Sequence, residues 1–317
     1  MTASTTRLAP SPTGALHLGN ARTFVLNWVL ARRNRWRVLM RVEDLDGPRV
    51  RAGAGEEALS DLAWLGLTWS DPVVYQSGRE TEYRSALARL IEAGAAYPCT
   101  CTRRDIDLAG GAPHAEDHVT VYPGTCRGRW HSAAEAEAAT GRAPAWRVRV
   151  EAGPVAFTDR FAGEQAFDLS ATCGDFVIFK RDGLCAYQLA VVVDDAAAGV
   201  DAIVRGDDLL ESAARQIHLR RLLGLGPEPD YWHLPLVVGP DGRRLAKRHG
   251  DTRISHYRRL GVSPRRVLGL IAYWSGLLEV RRPIEPAEFV ERFDPAGVPR
   301  GPVVFAEGDD AFLRAGG

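Results

Sequence analysis

The chain has 317 residues, 45% of them hydrophobic and 25% charged, so it can bury a core and carry a nucleotide-binding domain with one or two additions. Its 40 basic and 40 acidic side chains cancel, which excludes a uniformly basic protein that coats nucleic acid. With no apolar stretch of about eighteen residues and no apolar core near the start, we expect a cytoplasmic protein without membrane spans. The five cysteines then favour free thiols or a metal site over disulfides.

The first elements predict a parallel β-α-β unit. Residues 6–9 form a predicted strand, residues 10–14 a proline-rich turn, and apolar residues at helical spacing predict a helix through residue 33. Residues 38–42 predict a second strand that ends in acidic residues, and helices follow at 56–65 and 80–93. This order is typical of a doubly wound sheet, whose ligands collect at the carboxyl ends of the strands.

The middle of the chain has a different pattern. Residues 99–174 are irregular, with a predicted helix at 132–140 and alternating Trp146, Val148 and Val150 that suggest an antiparallel strand. Apolar runs at 176–180, 189–193 and 202–204 predict a return of parallel strands, followed by helices at 212–223 and 262–278.

We therefore predict an α/β protein with a doubly wound parallel (Rossmann-type) nucleotide-binding core, an α+β insertion and a mostly helical C-terminal segment. Residues 1–98 form the first half of the core, 99–174 the insertion, 175–235 the second half of the core and 236–317 the C-terminal segment. The part after residue 282 is predicted to be a short terminal extension.

A short motif, HLGN at residues 17–20, opens the first helix. Helix N–H groups and the helix dipole favour anions there, Gly19 permits close approach of a nucleotide, and His17 can donate to a phosphate oxygen. Taken alone, a motif of this kind is more often ordinary helix capping than a nucleotide site.

A second motif, DGRRLAKRHG at residues 241–250, forms a basic loop bounded by glycines. Such a loop can close over a triphosphate, with Lys247 as a point charge on the developing pyrophosphate. The alternative is a solvated basic turn.

Together these motifs resemble the two signatures of class I aminoacyl-tRNA synthetases, of the His-Ile-Gly-His and Lys-Met-Ser-Lys-Ser types. Four further runs resemble the glutamyl branch of that family: RLAPSPTG (7–14), RVEDLD (41–46), YQLAVVVDD (187–195) and VRGDDLL (204–210). Arg244 and Ala246 replace the usual Lys and Ser of the second signature, and Asn20 replaces the fourth residue of the first.

The resemblance implies activation of L-glutamate by ATP with Mg²⁺, followed by transfer from the glutamyl-adenylate to a tRNA. A site for glutamate needs cationic groups for two carboxylates and an acid for the ammonium. The residues implied to bind glutamate are Arg7, Ser11, Glu43, Tyr187 and Arg205. Those implied to bind ATP are His17, Gly19, Asn20 and Lys247, of which His17, Asn20 and Lys247 are implied to be catalytic.

A third pattern, Cys99-Thr100-Cys101 followed by Tyr122 and Cys126, offers soft ligands for zinc, although free structural thiols also fit it. The pattern resembles the zinc site of the short glutamyl-queuosine paralogues of glutamyl-tRNA synthetase. That resemblance implies a structural Zn²⁺ held by Cys99, Cys101, Tyr122 and Cys126, with His114, His118 and His131 as competitors for the fourth position.

The acceptor follows from the same resemblance. The chain ends about seventy residues after Lys247, so no anticodon-binding domain is expected, and the short paralogues transfer glutamate to queuosine in the anticodon loop of tRNA(Asp). A truncated enzyme that charges a tRNA 3′ end and a non-catalytic, zinc-braced RNA-binding relative are the alternatives. Basic residues in 241–270 and 32–37 are candidate RNA contacts, and we expect a monomer.

Overall fold

The structure is a computed structural model that describes residues 3–45, 47–70, 72–109, 121–243, 245 and 250–315. Within these residues no helix is long and apolar enough to cross a membrane. The helices are α1 (Leu18–Arg33), α2 (Ala54–Trp64), α3 (Glu80–Glu92), α4 (Arg103–Ala109), α5 (Ala133–Thr140), α6 (Leu169–Thr172), α7 (Tyr187–Ala197), α8 (Leu210–Leu222), α9 (Ile254–Arg259), α10 (Pro264–Trp274), α11 (Pro286–Arg292) and α12 (Glu307–Arg314).

The strands form four small sheets among the described residues. They are β1 (Thr5–Leu8), β2 (Arg37–Val42), β3 (Val74–Tyr75), β4 (Ala96–Cys99), β5 (Ala145–Val148), β6 (Pro154–Asp159), β7 (Gly163–Asp168), β8 (Phe176–Phe179), β9 (Ala202–Gly206), β10 (Asp230–Leu234), β11 (Val237–Val238) and β12 (Val303–Val304).

The first sheet confirms the predicted parallel unit. Strand β1 pairs with β2 and β2 with β3, all in parallel, and α1 makes the crossover between β1 and β2. A second sheet has the order β7-β6-β10-β9, in which β9, β10 and β6 run parallel. The two sheets meet at β1 and β9, because Asp201 next to β9 donates its N–H to the Thr5 carbonyl at 3.1 Å. In such an arrangement the order reverses between β1 and β9, which is where doubly wound sheets bind ligands.

Two predicted parallel strands are wrong. Residues 189–193 lie within helix α7, and β8 at residues 176–179 pairs antiparallel with β5 in the sheet β4-β5-β8. Residues Leu189 to Val192 are all buried against neighbouring elements, so this part of α7 is apolar on every side and lacks a helical stripe. A short apolar run of this kind does not distinguish a buried helix from a strand.

The C-terminal residues pack closely on the core. Phe289, Phe293, Phe305 and Leu313 are buried in the same cluster as Leu26 of α1. Each buried side chain of this size contributes roughly 1.5–3 kcal/mol to the free energy of folding. Residues after 282 are therefore part of the folded core, which corrects the prediction of a terminal extension.

Candidate active site

A cleft of about 720 Å³ opens where the two parallel sheets meet. It is lined by the turn after β1, the start of α1 and α7, and the ends of β2 and β9. Residues far apart in sequence thus share one cavity. The predicted site residues on its wall are Arg7, Ser11, His17, Gly19, Asn20, Glu43, Tyr187 and Arg205.

The HLGN motif forms the first turn of α1 at one wall of the cleft. His17 is the N-cap, and its Nδ1 accepts the backbone N–H of Asn20 at 3.3 Å. A Cβ at position 19 would lie 3.1 Å from the His17 ring and 3.5 Å from Cβ of Val237. A side chain at position 19 would therefore crowd the His17 ring, which would have to shift by a few tenths of an ångström. His17 is both a cap and a cleft residue, so capping does not exclude a functional role.

One buried carboxylate serves two arginines on the cleft floor. Asp195 of α7 accepts from Arg7 Nε at 3.3 Å and from Arg41 Nη1 at 2.5 Å. Burial alone would raise the pKa of Asp195, but the attraction of Arg41 and Arg7 outweighs it and the pKa is lowered. Asp195 is therefore ionised, and the positive charge of Arg7 is already partly neutralised inside the protein.

The acid and the hydroxyls of the predicted site lie beside this network. Glu43 Oε1 accepts from Arg41 Nη2 at 3.0 Å, and Ser11 Oγ lies 3.5 Å from Glu43 Oε2. Burial, together with the negative charge of Glu43, raises the pKa of Tyr187. The phenol therefore keeps its proton and can donate a hydrogen bond.

Arg205 has a different environment. Its Nε donates to His233 Nε2 at 2.9 Å, Nη1 to Gln216 Oε1 at 2.8 Å and Nη2 to the Leu209 carbonyl at 3.3 Å. All three acceptors are uncharged, and among the described residues no carboxylate lies within 4.0 Å of this guanidinium. A guanidinium has five N–H donors, so two remain for a ligand in the cleft. This buried cation is thus prepared for an anion from outside.

Both flanks of the second motif lie next to His17. Val237 before the loop lines the cleft, and after the loop Leu18 N donates to the Thr252 carbonyl at 2.9 Å. The tip of the loop lies outside the described residues, including Lys247, Arg244 and Ala246. The described flanks bring the two ends of this loop to the mouth of the cleft.

The three predicted cysteines form one cluster away from the cleft. The thiols of Cys99, Cys101 and Cys126 lie within 4.8 Å of one another. The hydroxyl of Tyr122 is 3.4 Å from Cys99 Sγ and 3.8 Å from Cys101 Sγ. Burial would raise the pKa of Cys126, but hydrogen bonds from the Thr100 backbone and from neighbouring side chains lower it to about 7. Three close thiols with one acidified member and a phenol oxygen are a suitable donor set for a thiophilic cation.

The competing histidines do not join this cluster among the described residues. His131 has a side chain 94% exposed and pairs with Glu135 at 3.2 Å. His114 and His118 lie outside the described part of the chain.

The candidate RNA contacts are largely engaged within the protein. Arg253 pairs with Asp251, Arg258 with Asp61 at 2.6 Å and Arg265 with Glu285 at 2.8 Å. Arg33 in the other strip donates to the Glu291 carbonyl at 2.9 Å.

Three functional candidates were missed from the sequence. Asp195 was predicted at the end of a strand but lies in helix α7. Arg41 was part of a motif and was given no role of its own. His233 lies on β10, which the sequence did not predict. The signal for Asp195 was present in the paired acids 194–195. The sequence DYWHL of β10 mixes polar and aromatic residues and has no clear alternation.

Comparison with known proteins agrees with this geometry. The family model for class I tRNA synthetases (E and Q), catalytic domain, matches residues 4–288. A glutamyl-Q tRNA(Asp) synthetase of Symbiobacterium thermophilum is 48% identical over 94% of this chain and 94% of its own length. One of Nocardia farcinica is also 48% identical, over 95% of this chain and 93% of its own. The crystal structure of a glutamate tRNA ligase from Elizabethkingia meningosepticum shares the fold, with a TM-score of 0.83 at 23% identity over 98% of this chain and 69% of that one.

The chain therefore belongs to the class I tRNA synthetases of the glutamyl and glutaminyl type, and it is a ligase-type enzyme with their α/β fold. Its curated relatives at 42–50% identity carry the name glutamyl-Q tRNA(Asp) synthetase. The resemblance predicted from the sequence is thus confirmed.

Proposed function

We propose that this enzyme activates L-glutamate with ATP and transfers it to queuosine in the anticodon loop of tRNA(Asp). The proposed activation of glutamate rests mainly on Arg205, which is a buried cation held only by neutral acceptors in a cleft of suitable size. A buried charge is costly unless an opposite charge reaches it. A substrate carboxylate supplies that charge.

The other cleft residues complement the remaining groups of glutamate. Arg7 meets the second carboxylate, Tyr187 donates its hydroxyl, and Glu43 with Ser11 receives the ammonium. Because Arg41 holds Glu43 and Asp195 holds Arg7 in place before binding, little reorganisation of these two side chains is needed. In this proposal Arg205 takes the side-chain carboxylate, which glutamine lacks, so the site should reject glutamine.

ATP binds at the mouth of the cleft in this proposal. His17, Gly19 and Asn20 face its phosphates from the start of α1, and Lys247 approaches from the loop whose flanks lie beside them. Mg²⁺ arrives with ATP and neutralises phosphate charge. The glutamate carboxylate attacks the α-phosphorus, pyrophosphate leaves, and a hydroxyl of the RNA then attacks the carbonyl of the mixed anhydride and releases AMP. Catalysis is by positioning and electrostatics, and no protein nucleophile is needed.

The choice of acceptor rests on the relatives. Two of those named glutamyl-Q tRNA(Asp) synthetase match 94% and 95% of the chain at 48% identity. In this proposal residues 99–174 form the acceptor-binding subdomain between core halves 1–98 and 175–235, and residues 236–317 carry the signature loop and the helical segment.

The cysteine cluster would hold one Zn²⁺ through Cys99, Cys101, Cys126 and Tyr122. The ion would brace the link between β4 and the following segment and would have no part in glutamate activation, because the cluster lies outside the cleft lining. Metal analysis of purified protein should find about one zinc per chain, and Cys126→Ala should lose it. The melting temperature should fall, while the KM for glutamate should stay close to the wild-type value. A metal-free wild-type protein with the same melting temperature would contradict the zinc site.

The activation step is tested by glutamate-dependent ATP–pyrophosphate exchange in the absence of RNA. We expect exchange with wild-type protein, and strong loss with Lys247→Ala. Absence of exchange in folded protein would favour a non-catalytic RNA-binding relative.

The acceptor is tested with radiolabelled glutamate on tRNA(Asp) with and without queuosine, and on queuosine-free tRNA(Glu). We expect label only on the queuosine-bearing tRNA. Charging of queuosine-free tRNA(Glu) would instead identify an enzyme that esterifies a tRNA 3′ end.

A further inference from the structure

A chain of three buried polar side chains runs beneath the cleft, across neighbouring strands. Arg205 of β9 lies opposite His233 of β10, and β10 pairs in turn with β6, which ends at Asp159. Arg205 Nε is 2.9 Å from His233 Nε2, and His233 Nδ1 is 2.6 Å from Asp159 Oδ2. The side chains of His233 and Asp159 have no exposed surface. Neither residue lines the cleft, so any effect on a substrate passes through the cleft residues that His233 contacts, of which Arg205 is the charged one.

The hydrogen bonds fix one tautomer of His233. The Nε atom of an arginine only donates, so His233 Nε2 must accept and Nδ1 must carry the proton. Asp159 is in turn held as an acceptor, because the N–H groups of Phe161 and Ala162 donate to its Oδ1 at 2.8 and 2.6 Å. Burial lowers the pKa of His233, and the positive charge of Arg205 adds to this effect against the opposing attraction of Asp159. The imidazole is therefore neutral.

A neutral acceptor has a specific advantage at this position. A carboxylate in contact with Arg205 would orient the guanidinium but would also neutralise it, as Asp195 does at Arg7. The imidazole orients the guanidinium and leaves its charge available. The ring of Tyr231 completes the support, stacked on His233 at 5.8 Å and lying 5.5 Å below Arg205 Cζ.

We propose that Asp159 and His233 are positioning residues that orient Arg205 for the carboxylate of glutamate through a single histidine tautomer. The inference rests on the proposed activation of glutamate by this cleft. It assigns a role in the amino-acid site to the β6-β7 hairpin, which lies within residues 99–174.

The tautomer of His233 can be tested sharply, because replacing one oxygen of Asp159 by nitrogen should reverse it. In Asp159→Asn the backbone N–H groups of Phe161 and Ala162 keep the amide oxygen on their side, so the NH₂ group faces His233 Nδ1. Nδ1 must then accept, and the proton moves to Nε2, where it points at the N–H of Arg205. The substitution preserves volume and still should displace Arg205.

The experiment is RNA-free pyrophosphate exchange with the full chain, measuring kcat and the KM values for glutamate and for ATP. His233→Phe and Asp159→Asn should raise the KM for glutamate about tenfold or more, because a hydrogen bond to a charged group is lost. The KM for ATP should change by less than about twofold, since the proposed function places ATP against the start of α1 and not against Arg205. His233→Gln should stay near wild type, because its amide can accept from Arg205 and donate to Asp159.

His218→Phe is the matched control. His218 lies on α8 outside the cleft lining and its Nε2 is 2.7 Å from the Arg149 carbonyl, so this variant loses a partly buried histidine contact that does not involve the cleft. It should lower the melting temperature and leave the KM for glutamate unchanged.

Equal KM values for glutamate in the Phe and Gln variants of His233 would overturn the proposal, as would parallel increases in both KM values. If Asp159→Asn does not fold, the KM values for glutamate of His233→Phe and His233→Gln test the proposal by themselves. Wild-type protein without glutamate-dependent exchange would instead refute the proposed function, so the two failures are distinguishable.

Discussion

Two arginines on adjacent strands line the same cleft, but the partners of one are charged and those of the other are uncharged. Arg7 on β1 contacts the carboxylate of Asp195, which also binds Arg41. Arg205 on β9 contacts an imidazole, an amide and a backbone carbonyl. One cation is neutralised before any ligand arrives, and the other is oriented without being neutralised.

This difference separates two tasks that an amino-acid site must perform. The Arg7 side of the cleft belongs to a pre-formed ion network that stabilises the fold around β1, β2 and α7. Arg205 has no carboxylate in direct contact among the described residues and is attracted by Asp195 only from a distance, so its charge is expected to discriminate between anionic and neutral ligands. Selectivity for glutamate is therefore expected to depend mainly on the Arg205 side.

The largest effect is expected for Arg205→Gln. Loss of a buried charge partner costs roughly 2–5 kcal/mol, or about thirtyfold to several thousandfold in kcat/KM for glutamate. The same change at Arg7 should cost less, because Asp195 already shares that charge. Pyrophosphate exchange measures both, and Arg220→Gln serves as the control, since that arginine is buried outside the cleft and donates to the Pro227 carbonyl. An equal or larger loss at Arg7 would contradict the comparison.

Asp195→Asn should next reduce stability at neutral pH by about 3 kcal/mol, because two buried guanidinium groups lose their shared carboxylate. The pKa of Asp195 is lowered in the folded protein, so the carboxylate stabilises above the ordinary aspartate pKa, and this contribution disappears as the pH falls through the lowered value. The unfolding free energies of wild type and variant should therefore converge in strongly acidic solution.

Denaturant titrations of wild type and Asp195→Asn at neutral and acidic pH measure whether their unfolding free energies converge. The exposed pair of Asp230 with Arg160 gives the control Asp230→Asn, whose effect should stay below about 1 kcal/mol. A gap between wild type and Asp195→Asn that does not depend on pH would show that Asp195 acts through packing.

The smallest effect is expected for Gln216→Glu, which gives Arg205 a carboxylate partner like the one that Arg7 has. Gln216 Oε1 accepts from Arg205 at 2.8 Å, so a carboxylate of the same shape would neutralise the guanidinium, and the hydrogen bond from Gln216 Nε2 to Gln188 Oε1 would be lost. The KM for glutamate should rise about tenfold, and the preference for glutamate over glutamine should decrease. Unchanged preference would indicate that the charge of Arg205 does not select the ligand.

The sequence predicted the positions of both arginines but not the partners that their side chains contact. Arg205 follows an apolar run and Arg7 lies in the short predicted strand before the proline-rich turn; because strand ends in a doubly wound sheet converge, their meeting in one cleft was predictable. The partners that distinguish them come from tertiary structure. Asp195 follows a run of valines that was interpreted as a strand, and its helical geometry turns it towards Arg7 and Arg41.

His233 illustrates the same limit. Its importance depends on the pairing of β10 with β9 and of β6 with β10, and local sequence patterns do not determine which strands become neighbours. The cysteine cluster was easier to predict, because Cys99 and Cys101 are close in sequence and cysteine has few roles in a chain without disulfides.

Equilibrium binding of glutamate and of glutamine to the wild-type protein, by calorimetry without ATP or RNA, tests the central claim most directly. A cleft whose buried Arg205 awaits an external carboxylate should bind glutamate at least about tenfold more tightly than glutamine. Equal affinities for the two amino acids would show that the charge of Arg205 does not recognise the substrate.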